Sequence, residues 1–119
     1  MDEESIDLGD ALKQMKEDGE TPDGFLYRII VAEGDDLQPF ITSLYGLTVS
    51  HDMKMNHATV DKDDNTYDIF DLVGFVDFDS MEIMMKETDT ILNQIITQGR
   101  EEGFIKSVSL AVHFVNKPD

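Results

Sequence analysis

From Leu47 to Val60 apolar and polar side chains take turns. Leu47, Val49, His51, Met53, Met55 and His57 fall on one side, and Thr48, Ser50, Asp52, Lys54 and Asn56 on the other. Successive side chains of a strand point to opposite faces, so this run predicts a long β-strand with one dry face. Such a strand needs a sheet partner and a layer over its apolar side, which excludes an all-helical fold. The next stretch supplies the partner. In Asp61-Lys62-Asp63-Asp64-Asn65-Thr66-Tyr67-Asp68-Ile69-Phe70-Asp71 the polar first half reads as a turn, and the second half opens another strand, from about Tyr67 to Phe78.

The flanking segments fill in the rest. Phe25–Val31 is rich in β-branched and aromatic residues and stops at Gly34, a first strand. Behind Asp35 and Asp36, the residues Leu37, Phe40, Ile41, Leu44 and Tyr45 keep a helical spacing that Gly46 is expected to end. A second helix opens where Asp79 and Glu82 fit a capping box, with Phe78 and Ile83 placed as its hydrophobic staple. Met81, Met84, Met85, Thr88, Leu92, Ile95 and Ile96 mark its buried stripe, and Gly99 or Gly103 its end. The three methionines at its start read as core more readily than as an adaptable binding surface. A last strand, Ile105–Val115, carries Val108, Leu110, Val112 and Phe114 on one face.

This order, β-α-β-β-α-β, resembles the split βαβ topology of ferredoxin-like α+β folds. The resemblance implies a four-stranded antiparallel sheet in the order 4-1-3-2 with two helices on one face. The patterning agrees: the first and third strands are apolar on both faces, as central strands are, and the second and fourth on one. Ahead of this domain, residues 25–119, lies an acidic arm and linker, residues 1–24. Ser5 is placed to cap a short helix there, Leu8, Ala11, Leu12 and Met15 share a face, and Gly19 with Thr21-Pro22-Asp23-Gly24 ends it.

With both helices on one side, the other face of the sheet is expected to show Leu26, Arg28, Ile30 and Ala32; Ser50, Asp52 and Lys54; Tyr67, Ile69, Asp71, Val73 and Phe75; and Ser109, Ala111 and His113. Its middle is apolar enough to need a cover, either the arm folding back through Leu8, Leu12 and Met15 or a partner. Arg28 and Asp71 fall in neighbouring strands on this face and are expected to pair. Gly74 marks a bulge or a close backbone approach.

Chemistry is sparse. The chain has no cysteine, which removes disulfides, thiolate metal sites and thiol nucleophiles. Asp61, Asp63 and Asn65 match the first three ligand positions of a calcium loop, but Thr66 stands where glycine is needed and Leu72 where the bidentate glutamate belongs, so no metal is assigned. His51 and His57, six residues apart on one strand, lie about 20 Å apart and cannot share an ion. No nucleophile beside a base, no serine elbow and no phosphate loop occurs, so the reading is non-enzymatic, without catalytic residues or cofactor.

What remains is charge. The chain's 26 acidic and nine basic residues give −17 over 119 residues. Nucleic acid, including RNA on the open sheet, and anionic membranes are repelled, and a basic protein surface is attracted. The chain is accordingly expected to be an acidic interaction protein for such a target, possible in its extreme form as a DNA-mimicking inhibitor, a composition familiar among small phage and mobile-element proteins. Two clusters carry that expectation: Asp61, Asp63, Asp64 and Asp68, and Asp77, Asp79 and Glu82. Charge kept for solubility, or for a salt-rich host, gives the same count. The alternative function is a regulatory or assembly module that dimerises or binds a small ligand through the open face, at Leu26, Arg28, Ile30, Ile69, Asp71, Val73 and Phe75. A basic leader and an 18-residue apolar run are both missing, so a soluble, cytoplasmic protein is expected.

Overall fold

A computed structural model describes residues 8–32, 37–103, 105 and 107–116. Ser5, Gly34, Asp35, Asp36 and the tail from Lys117 lie outside the described residues. The element order is α1 (Leu8–Glu17), β1 (Gly24–Ala32), α2 (Gln38–Ser50), β2 (Lys54–Lys62), β3 (Asn65–Phe75), α3 (Phe78–Glu101) and β4 (Ser107–Val115). The strands form one antiparallel sheet in the order β2-β3-β1-β4, the expected adjacency read from the opposite edge.

The core lies between the sheet and two helices on one side of it. From β1 come Phe25, Tyr27, Ile29 and Val31, alternating as a central strand requires, and from β3 Phe70 and Leu72. Phe40, Leu44 and Leu47 of α2 and Met81, Met85, Leu92 and Ile96 of α3 close over them. The ring pairs Phe25–Tyr27 and Phe40–Phe70 meet edge-to-face at 5.6 and 5.8 Å. The Tyr27 hydroxyl donates to the Met85 carbonyl at 3.2 Å. Burial first, and the adjacent Asp89 carboxylate second, hold this phenol above its ordinary pKa, so it stays neutral. Gly74 is a close approach and not a bulge: its register to Phe25 is unbroken, and a Cβ there would lie 2.8 Å from the Phe25 ring.

Two expectations are corrected. The run from Leu47 does not begin a strand, because α2 continues through Gly46 to Ser50 and β2 starts only at Lys54. Phe40, Leu44, Leu47 and Thr48 lie at helical spacing and are all buried, and that stripe outweighs the alternation. The Thr48 and Ser50 hydroxyls donate to the Tyr45 and Leu47 carbonyls, which accommodates two poor helix formers. The helix is closed by Asp52 in a left-handed conformation, φ 53°, with the Met53 amide bonded back to the Thr48 carbonyl. Ser50 and Asp52 therefore leave the open face, and His51 caps a helix instead of sharing a strand with His57.

The start of α3 also differs. Asp77, not Asp79, takes the N-cap position and makes no side-chain cap bond, so there is no capping box. Glu82 instead accepts from Lys86 at 2.8 Å, and Ile83 is exposed, outside any staple. The helix runs through Gly99, and Gly103, φ 81°, follows its end.

The described part of the arm, residues 8–24, decides between the two covers considered for the open face, since it does not lie there. Helix α1 ends in a Schellman motif, Glu20 to Met15 and Gly19 to Lys16, and sends Leu12 into the core beside the first turn of α3. Gly9 makes that approach possible, since a Cβ there would stand 2.9 Å from the Glu82 carboxylate.

Candidate functional site

Register and alternation fix what each face of the sheet presents. The side away from the helices shows Leu26, Arg28, Ile30 and Ala32 of β1, flanked by Tyr67, Ile69, Asp71, Val73 and Phe75 of β3. Lys54, Asn56, Ala58, Val60 and Lys62 extend it on β2, and Ser109, Ala111, His113 and Val115 on β4. At its centre the Arg28 guanidinium grips Asp71 through two bonds, Nε to Oδ1 at 2.8 Å and the terminal nitrogen to Oδ2 at 2.9 Å. That fork holds the Asp71 carboxyl below the ordinary carboxylate range, with a smaller contribution from His113. At one end the Phe75 ring lies over Gly24 and against Val115: a Cβ on Gly24 would be 2.6 Å from the ring. Ile30, Ile69 and Val73 are half-buried by their neighbours, and no described element covers them.

The charge on this face was only partly visible in the linear sequence, which placed Asp52 on it and left Lys62 off. Among the described strand residues three cations, Arg28, Lys54 and Lys62, stand there with a single carboxylate, Asp71. The other described acids stand at the turns, on α1 and α3, and on the helix side of β2 and β3, while α2 carries none. Asp63 and Asp64 form the two-residue tip between β2 and β3, both at positive φ, 53° and 65°, as a type I′ hairpin requires. Asp61 beside them accepts from the Thr66 hydroxyl at 2.8 Å. Asp77, Asp79 and Glu82 lie at the far end of β3, about 35 Å away at ~3.3 Å per residue, so the two expected clusters remain separate.

Sequence reasoning missed one arrangement. On the helix side of β2, His57 stacks on Phe70 at 4.3 Å and its Nε2 shares a 2.8 Å hydrogen bond with Asp68, which also accepts from the Thr59 hydroxyl at 3.1 Å. The register places all four together, His57 opposite Phe70 and Thr59 opposite Asp68. Asp68 is thus engaged locally and is less available to a partner than Asp63 or Asp64. A cleft of about 230 Å³ where α2 meets α3, lined by Phe40, Ser43, Ile95 and Gly99, is smaller than the roughly 300–1,000 Å³ of ordinary ligand sites, and a wider one of about 560 Å³ along α3, lined by Asn93, Gln94 and Thr97, is an open surface groove. Among the described residues no three histidine or carboxylate side chains gather as metal ligands, and no helix is long and apolar enough to cross a membrane. Comparisons with protein-family models, curated proteins and solved structures return no match.

Proposed function

We propose that this protein is a non-enzymatic interaction protein that offers carboxylates to a basic surface on a protein target, in the manner of a nucleic-acid mimic. The observation that carries the reading is the segregation of charge: the strand residues of one sheet face hold a single, neutralised carboxylate, while acids crowd the helix side and both ends of β3. Acidity needed only for solubility has no reason to avoid one face. The spacing is also supportive, since the clusters at the two ends of β3 lie about one turn of duplex apart. The split βαβ reading of the fold, ferredoxin-like, belongs to the same proposal and supplies a rigid sheet between them.

The test is retention of a basic partner from lysate across a salt series, with Asp61, Asp63 and Asp64 changed together to lysine. Binding that weakens steeply with salt and is lost in the triple variant supports the proposal. Binding indifferent to both refutes it. A second reading, an assembly module docking through the open face, is favoured by the apolar, acid-poor row Ile30, Ile69 and Val73. Its test is Ile69→Lys, which should abolish that docking while leaving the fold intact.

A further inference from the structure

The outer edge of the sheet along β4 contrasts with the opposite edge, β2. Its nine residues, Ser-Val-Ser-Leu-Ala-Val-His-Phe-Val, contain no aspartate, glutamate, lysine, arginine or proline. Its register to β1 is unbroken over nine pairs, from Gly24 opposite Val115 to Ala32 opposite Ser107, so no bulge twists the edge away. Among the described residues it pairs with β1 alone. On its helix side Leu110 and Val112 are 37% and 41% exposed. The opposite edge, β2, carries Lys54, His57, Asp61 and Lys62, the usual protection against strand addition.

We infer that β4 is the seam of a homodimer, pairing antiparallel with β4 of a second copy about a two-fold axis at Ala111 and joining two four-stranded sheets into one of eight. A second copy fits because the strand complements itself. Centred on Ala111 all nine residues pair, and Leu110 then faces the partner's Val112 while Val108 faces its Phe114, apolar against apolar on the helix side. Ser109 meets His113 on the other face. A basic strand would find no carboxylate on β4, whereas two chains of −17 can approach closely only where neither carries one. A seam of nine pairs is about 30 Å long. With the side chains it covers, it approaches the ~1,000 Å² at which specific association begins, so the dimer is of modest affinity and tightens as salt screens the repulsion. The inference is independent of the proposed function, because the seam uses neither the acidic clusters nor the β1 and β3 residues at the centre of the open face.

The absence of native cysteine gives a clean test. Residues facing one another across an antiparallel pair have Cα atoms about 4.5–5.5 Å apart, within disulfide reach. Full-length Ala111→Cys should therefore oxidise to a covalent dimer, while Ala58→Cys on the β2 edge should not. Sedimentation at high salt should show twice the chain mass for the native protein. Val112→Lys, which places a cation opposite the partner's Leu110, should weaken dimerisation at least tenfold without changing the far-ultraviolet dichroism. A strict monomer at high salt and high concentration overturns the inference. So does a dimer that Val112→Lys leaves intact, or one that Ala58→Cys traps and Ala111→Cys does not.

Discussion

Arg28 and Asp71 meet at the centre of the open face, where two hydrogen bonds of 2.8 and 2.9 Å hold the carboxylate in its charged form. Strand alternation alone put both on one face, and the register sets them directly opposite. The direction of the Asp71 shift fixes its consequence for pH. A carboxyl whose folded pKa is depressed contributes stability that is fully present above its unfolded value, about 3.9, and is lost as pH falls through the folded value. Asp71→Asn should therefore melt below the native protein at neutral pH, with the gap closing below about pH 4. Thermal melts at pH 7 and pH 3 check this. At the hairpin tip the geometry predicts the opposite sign. Asp64 holds a positive φ that its Cβ disfavours, so Asp64→Gly should raise stability by about 0.5–1 kcal/mol in denaturant titration. Within the core, Gly74→Ala must push on the Phe25 ring and should cost about 1–3 kcal/mol.

At the scale of elements the sequence was legible wherever one period ruled. The strands β1, β3 and β4 and the long helix α3 follow from clean alternation or a clean stripe, and the expected boundaries fall within a few residues of those found. The failures came where two periods fit the same letters. Leu47 and His51 satisfy both an alternating and a helical reading, and Gly46 looked like a stop because glycine so often follows a helix. Burial of Phe40, Leu44, Leu47 and Thr48 against the sheet decides for the helix, a tertiary effect that no local window contains. The difference is testable. Gly46 sits mid-helix, exposed, with open space where a Cβ would go, so Gly46→Ala should stabilise by about 1 kcal/mol, whereas a glycine ending the helix at positive φ would make the same change destabilising. The capping box failed for a related reason: acids are so frequent in this chain that Asp79 and Glu82 meet the spacing without making the bonds.

For the whole molecule, charge was legible in amount and not in placement. The total of −17 is a property of the composition, but the emptiness of one face depends on which strands become neighbours and in what register. The Arg28–Asp71 pair was the visible part of that pattern. Lys54 was expected there too, but Lys62 joins and Asp52 leaves only once β2 is bounded at Lys54–Lys62 and registered on β3. Acids outnumber cations on the helix side of the sheet, while the described strand residues of the other face carry Arg28, Lys54 and Lys62 against Asp71 alone, so the described residues have an electric dipole with a component along the sheet normal. Near a basic surface such a body experiences a torque as well as an attraction, and it rotates helix side first while still several ångströms away. For the basic target proposed above, orientation would then precede contact, and that target would need only the right sign of field, without any complementary shape at long range, to receive the protein helix side first.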